Sequence, residues 1–125
     1  MSPNPDAVLA RLREICLALP EAAERLSHGE PGFHIEKGKF FAYFSHNHHN
    51  DGITAVHVKT SGVDEQAMLI EADPEVYYRP PYLGPSGWLG IRLDADEIDW
   101  DRVADRVATS WELVAPRRLL EMGGR

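Results

Sequence analysis

The spacing of apolar residues along this 125-residue chain changes twice. In residues 6–19 apolar side chains recur every three or four positions, which predicts an amphipathic helix. Asp6 is a suitable N-cap for this helix, and Pro20 ends the pattern. The predicted buried stripe consists of Val8, Leu9, Leu12, Ile15, Cys16 and Leu19.

From residue 24 to residue 60 the apolar period is two, as in a β-strand. We predict a weak, short strand at 24–28 and three strands of an antiparallel meander at 33–35, 39–45 and 53–59. Turns are predicted at 29–32 and 36–38. The connection 46–52 ends in Asp51-Gly52, a strong turn signal.

After Ser61-Gly62 the chain is rich in good helix formers, and residues 63–72 are predicted to form a second helix. Tyr77-Tyr78 then leads into a corner rich in proline and glycine. Residues 87–93 are predicted to form a strand with two different faces. Its apolar face, the better core candidate, carries Leu89, Ile91 and Leu93, and its other face carries Trp88, Gly90 and Arg92.

A last long helix is predicted to begin after Asp99, which is a suitable N-cap. Its predicted buried stripe consists of Trp100, Val103, Val107, Trp111 and Val114. Pro116 interrupts the helix, and 117–122 predict a shorter one with Pro116 at its first position. The order α-β-β-β-α-β-β-α predicts one α+β domain over residues 1–125. Its antiparallel sheet has about five strands, and helices pack on one face.

Composition narrows the possible functions. The net charge of −7 disfavours strong nonspecific binding to nucleic acid unless basic residues are segregated on one face. Cys16 is the only cysteine, so an internal disulfide is impossible, and its place on the helix stripe predicts a buried, inert thiol. No secretory signal and no apolar run of 18 residues are present. We therefore expect a cytoplasmic protein without a membrane partner.

Several motifs together are similar to the MmcQ/YjbR family over about residues 6–120. These motifs are Lys37-Gly38-Lys39-Phe40-Phe41-Ala42, Pro81-Tyr82-Leu83-Gly84, Gly87-Trp88-Leu89-Gly90-Ile91-Arg92-Leu93, Asp99-Trp100 and Ser110-Trp111-Glu112-Leu113-Val114-Ala115-Pro116-Arg117-Arg118-Leu119. The resemblance implies a two-layer fold like CyaY and the secretion chaperones. It also implies contact with DNA, as this family is commonly described as DNA-binding. The chain departs from the family pattern at Trp111, where tyrosine is usual, and at the basic pair Arg117-Arg118.

Basic and aromatic residues suggest a surface for nucleic acid or an anionic ligand, because such surfaces combine stacking with cationic contacts. In an alternative interpretation, Trp88 and Tyr82 pack under the last helix and the arginines pair with carboxylates. The candidate binding residues are Lys37, Lys39, Lys59, Arg79, Tyr82, Trp88, Arg92, Arg117 and Arg118.

The histidines are candidates for metal binding and for proton transfer. His46, His48 and His49 share one loop with Asp51, but no distant ligand is tied to them by spacing, so we expect a solvated turn and no metal or cofactor. His34 and His57 lie on adjacent predicted strands, where they form either an acid–base pair or polar positions of an open sheet face.

Three functions therefore follow as hypotheses. The first is a non-catalytic binding protein that contacts nucleic acid, as the resemblance implies. The second is a module that binds a protein or a small ligand on its sheet face, with a homodimer as one possible partner arrangement. The third is an enzyme, which needs a concave pocket with convergent titratable groups. The sequence contains no nucleophile motif, so we expect no catalytic activity.

Overall fold

The computed structural model describes residues 3–47 and 50–122. Its six strands form one antiparallel sheet in the order β1-β2-β3-β4-β6-β5. The strands are β1 (Ala22–Ser27), β2 (Glu30–Ile35), β3 (Phe40–His46), β4 (Thr54–Val58), β5 (Tyr77–Tyr78) and β6 (Leu89–Arg92). The helices are α1 (Pro5–Leu17), α2 (Val63–Ala72), α3 (Trp100–Val114) and α4 (Arg117–Glu121). The predicted α+β class is confirmed, with one strand more than the expected five.

The two long helices begin at side-chain caps, as their sequences indicate. The Asp99 carboxylate accepts a hydrogen bond from the Arg102 backbone N–H at 3.1 Å, so the predicted cap of α3 is confirmed. Helix α1 is capped by Asn4 rather than Asp6. The Asn4 side chain accepts from the Asp6 backbone N–H at 2.8 Å because Pro5 already occupies the first helical position.

The first hairpin differs from the prediction. The expected turn at 29–32 is wrong, because β2 begins at Glu30 and pairs with β1 along six residues. The turn is the two-residue loop His28-Gly29, in which both residues have positive φ, as type I′ hairpins require. Gly32 lies inside the strand, where a Cβ atom would come within 2.6 Å of the Phe40 ring.

A bulge in β3 sets the two faces of the sheet. Phe33 pairs with Ala42, but the next residue of β2, His34, pairs with Phe40, so Phe41 is the extra residue. Phe41 and Ala42 are consecutive, yet both are fully buried in the core. Phe40 and Tyr43 therefore lie together on the opposite face, stacked with 4.9 Å between ring centroids.

Helices α1 and α3 pack on one face of the sheet, which encloses the core. The predicted core face of the strand at 87–93 is confirmed, since Leu89, Ile91 and Leu93 are fully buried in this core. Trp111 of α3 is also fully buried, and its indole N–H donates to the Pro20 carbonyl at 3.1 Å. No helix formed by the described residues is long and apolar enough to cross a membrane.

The opposite side of the sheet, which we call the open face, carries a row of aromatic and polar side chains. The row is defined by Arg25, Phe40, Tyr43, His57, Tyr78 and Trp88.

Candidate functional site

A cavity of about 620 Å³ lies on the open face. The register of four neighbouring strands determines which residues form the floor of this cavity. Tyr43 pairs with His57, His57 with Gly90, and Gly90 with Tyr78. We call it the open-face cavity. Its lining residues are Ser27, His28, Glu30, Tyr43, Phe44, Ser45, Asp51, His57, Tyr78, Pro81, Tyr82 and Leu83.

Gly90 allows the floor to form. A Cβ atom at this position would overlap the Tyr78 ring, so glycine lets that ring lie flat across β6. The Tyr78 hydroxyl consequently reaches His57, with 2.8 Å between its oxygen and Nε2. The two rings meet edge to face at 5.9 Å between centroids.

The Tyr78 phenol stays protonated over a wide pH range. Burial raises its pKa well above the ordinary value of 10.0, and the nearby Asp51 carboxylate raises it further. A protonated phenol can donate its O–H to Nε2 of His57 in the tautomer that carries its proton on Nδ1. The pair therefore supplies a fixed polar point in an otherwise aromatic floor.

One wall of the cavity is the segment that joins β5 to β6. The Leu83 backbone N–H donates to the Pro81 carbonyl at 2.7 Å, which closes a γ-turn centred on Tyr82. Tyr82 has a φ of +64° and is 80% exposed. Positive φ is uncommon for a large aromatic residue and costs backbone strain.

Helix α2 holds this wall in place. The Gln66 side-chain amide is buried and donates to two backbone carbonyls, those of Gly84 at 2.8 Å and Trp88 at 2.6 Å. The Thr60 hydroxyl donates to the Gly87 carbonyl at 2.6 Å. These contacts fix the segment that directly follows the turn, from Gly84 to Trp88, and so help to maintain the strained Tyr82 conformation.

Trp88 extends the aromatic floor instead of presenting a stacking surface. It is only 8% exposed, and its ring lies 5.3 Å from that of Tyr43. The prediction that Trp88 offers an exposed face to a ligand is therefore wrong. The alternative interpretation, in which Trp88 packs under the last helix, is also wrong. Trp88 contacts Tyr43 on the open face, whereas α3 packs on the opposite face of the sheet.

Two carboxylates and no lysine or arginine line the open-face cavity in the part of the chain that the structure describes. Both Glu30 oxygens lie near the His46 backbone N–H, at 3.2 and 3.4 Å. One Asp51 oxygen accepts from the Ile53 backbone N–H at 2.9 Å. The charge of the lining is therefore negative.

The predicted basic site residues do not come together on one face. Lys37, Lys39 and Arg118 line a second cavity of about 500 Å³ beside Glu21 and Glu36. There the Arg118 guanidinium donates to both Glu21 oxygens, at 2.6 and 2.7 Å, and these hydrogen bonds lower the pKa of Glu21.

The remaining predicted arginines and lysine are dispersed. Arg92 donates to both Asp94 oxygens at 3.0 and 3.1 Å, and Arg117 pairs with Glu121 at 2.9 Å. The Lys59 backbone N–H donates to Ser110. The aliphatic part of the Arg79 side chain covers Gly84, where a Cβ atom would be 2.6 Å from Arg79 Cγ.

Of the two alternatives for His34 and His57, the acid–base pair does not form. His34 lies on β2 and His57 on β4, and β3 runs between them. His46 ends β3, with its Nδ1 2.8 Å from the Thr54 hydroxyl oxygen. His48 and His49 lie outside the described residues. Within residues 3–47 and 50–122, no group of three histidine, cysteine or acidic residues could hold a metal ion.

Comparison with known proteins gives the family. The YjbR family model matches residues 17–113. The chain belongs to the YjbR family. The resemblance seen in the sequence motifs is thereby confirmed.

Among solved structures, this YjbR protein is similar to the Deinococcus radiodurans protein DR2400, which carries the domain DUF419. The match has a TM-score of 0.70 and covers 96% of this chain and 91% of that one, at 18% sequence identity. Identity this low supports the fold alone. No curated protein matches this YjbR chain.

Proposed function

We propose that this YjbR protein is a binding protein that holds a small organic molecule in the open-face cavity. The observation that carries the proposal is the cavity itself. Its volume of about 620 Å³ falls within the range of about 300–1,000 Å³ typical of small-molecule sites. Its lining combines aromatic and other apolar residues with polar groups that can orient a ligand.

The contacts around the cavity are those of a preformed site. Its floor rests on strand pairing, and its wall is held by the buried Gln66 amide and the Thr60 hydroxyl. A site that is already ordered loses little conformational entropy when a ligand enters. The proposal includes binding without catalysis, so a covalent change in a bound compound would contradict that part of it.

The test is ligand-observed NMR with a library of small aromatic and apolar compounds. Ser27→Phe places a bulky side chain at the cavity edge, whereas Ser61→Phe makes the same change at an exposed position outside the lining. We expect saturation-transfer signals with the wild type and with Ser61→Phe, and their loss with Ser27→Phe. Equal signals in both variants, or no signal with any compound, would contradict the proposal.

Contact with nucleic acid is the second candidate function, as the family resemblance implies. One observation favours it: Lys37, Lys39 and Arg118 line the same second cavity. Glu21 and Glu36 in that cavity and the net charge of −7 oppose it. The test is DNA binding by fluorescence anisotropy at low and high salt. If Lys37 and Lys39 contact phosphates, changing both to alanine weakens binding and reduces its salt dependence; absence of binding at low salt contradicts this function.

A further inference from the structure

We infer that the open-face cavity selects a small molecule that combines an ammonium group with an apolar or aromatic body. This inference rests on the function proposed above and specifies its ligand class. It follows from three properties of the cavity: the negative charge of its lining, the pairing of the Arg92 guanidinium with Asp94, and the aromatic residues of its floor.

The charged groups in the lining are the carboxylates of Glu30 on β2 and Asp51 before β4. Both Glu30 oxygens lie 3.2–3.4 Å from the His46 backbone N–H, and none of the lysines or arginines that the structure describes forms an ion pair with Glu30. The negative field reaches the floor, where Asp51 contributes to the raised pKa of the Tyr78 phenol. A cationic group entering the cavity would therefore be attracted from two sides.

Arg92 does not offset this field, because its guanidinium is paired with a carboxylate. Arg92 is near enough to Tyr78 to influence its pKa, but its guanidinium is bound by both oxygens of Asp94. Arg25 lies over the outer face of Phe40, 4.8 Å from the ring centroid, and is not in the lining. A phosphate or carboxylate ligand would need lysine or arginine donors, and none of the described lining residues is a lysine or an arginine.

The floor and wall suit a cation with an apolar body. Three tyrosines, Tyr43, Tyr78 and Tyr82, contribute ring faces or edges to the cavity. Aromatic ring faces attract cations through their quadrupole, and they also bury apolar carbon. The side chains of Ser27 and Ser45 add hydroxyl groups that can accept hydrogen bonds from an ammonium group.

The test compares three probes of similar size by NMR titration: 2-phenylethylammonium, the neutral 2-phenylethanol and the anionic 3-phenylpropionate. We expect the cation to bind about fivefold more tightly than the neutral probe, and the anion to bind most weakly. The preference for the cation should shrink as the salt concentration is raised from about 50 to about 500 mM, because screening weakens attraction between partly exposed charges.

Three variants locate the source of the preference. Glu30→Gln and Asp51→Asn keep the size of each side chain and remove its charge. Each should weaken binding of the cation about threefold and leave the neutral probe unchanged. Glu75→Gln changes the net charge equally at an exposed position outside the lining, and should leave both affinities unchanged.

The outcomes separate this inference from the proposed function. If all three probes bind equally and shift the amides of cavity residues, the ligand class is wrong while the proposed function stands. If the Glu75→Gln variant loses as much affinity for the cation as the other two, the effect is one of net charge and the inference is also wrong. If no probe binds and the library gives no signal, the proposed function itself is wrong.

Discussion

At the scale of single residues, Ser110 joins three parts of the fold through one buried hydroxyl group. Its Oγ–H donates to the Phe41 carbonyl at 2.6 Å, at the bulge of β3, and its oxygen accepts from the Lys59 backbone N–H at 2.8 Å, just after β4. Ser110 itself lies on α3 and is fully buried. Two backbone groups with no alternative solvent partner therefore depend on one side chain.

We predict that Ser110→Ala lowers the free energy of unfolding by about 2–3 kcal/mol, because it leaves both buried backbone groups unsatisfied. The neighbouring Thr109→Ala is the control, since Thr109 bonds only to the Asp105 carbonyl of its own helix. It should change stability by less than about 0.5 kcal/mol. Urea denaturation measures both, and equal effects of the two variants would contradict this role of Ser110.

Tyr82 is predicted to matter for binding and little for stability. Its ring is exposed, and Tyr82→Gly relieves the strain of positive φ while making the unfolded chain more flexible, so the two effects nearly cancel. We expect a change in unfolding free energy below about 0.5 kcal/mol, together with weaker binding of cavity ligands. Thermal unfolding and NMR titration measure the two quantities; a loss of 2 kcal/mol or more would mean that the ring packs in the structure.

For single residues, the sequence predicted the face of a side chain correctly where the periodic pattern of apolar positions is regular. The face of Trp88 followed from its position in the predicted strand 87–93, and the burial of Trp111 followed from the stripe of α3. The burial of Trp88 against Tyr43 could not be predicted, because that contact depends on how β3 and β6 are placed in the sheet. The sequence signal for ring contacts on this face was the pair of glycines Gly32 and Gly90, since glycine inside a strand often makes room for a neighbouring ring.

At the scale of elements, an ion pair connects α1 to β1. The Arg13 guanidinium donates to both Glu24 oxygens, at 2.5 and 2.8 Å. These hydrogen bonds hold the pKa of Glu24 below its ordinary value of 4.5 in the folded protein. A carboxylate with a lowered pKa in the folded state stabilises the protein above its unfolded-state pKa, and this stabilisation is lost as pH falls through the folded-state pKa.

We predict that Glu24→Gln costs about 0.5–1 kcal/mol at pH 7, a modest effect because the pair is partly exposed. The difference from the wild type should diminish as pH falls below about 4.5, since the wild-type carboxylate then becomes protonated. Denaturant unfolding from pH 7 to pH 3 measures this. Glu14→Gln, which disrupts a more exposed pair with Arg11, is the control, and a pH-independent difference for Glu24→Gln would contradict the mechanism.

Cys16 reports on the packing of α1. It is fully buried, and burial raises the pKa of its thiol, with Glu24 adding to the effect. We predict that a thiol reagent such as DTNB leaves Cys16 unmodified in the native protein at pH 8 and modifies it fully in denaturant. Rapid modification without denaturant would show that α1 separates readily from the sheet.

Most elements could be predicted, and the exceptions have physical causes. Helices α1 and α3 follow from apolar spacing, whereas α2, which has the predicted bounds, follows from its helix-forming residues. Strand β1 has only a weak period-two pattern because it is an edge strand with partly exposed positions. The β3 bulge places two consecutive residues on one face, an arrangement that no alternating pattern indicates.

At the scale of the whole molecule, the sheet is covered by α1 and α3 on one face, which leaves the other face for the cavity. Residues of the cavity come from four separate stretches: 27–30, 43–45, 51–57 and 78–83. Strand order and register bring them together, so the site could not be predicted from local motifs. The sequence suggested that the basic residues share one surface. In the structure they are dispersed over the fold and in part bound to carboxylates.

The measurement that tests the central claim most directly is backbone amide chemical-shift mapping with 2-phenylethylammonium, or with whichever library compound binds most tightly. We predict saturable shifts at Ser27, Tyr43, Ser45, His57 and Tyr78, with the amides of α1 and α3 unaffected. Shifts confined to the helical face, or to the second cavity at Lys37 and Arg118, would contradict the assignment of the open-face cavity as the binding site.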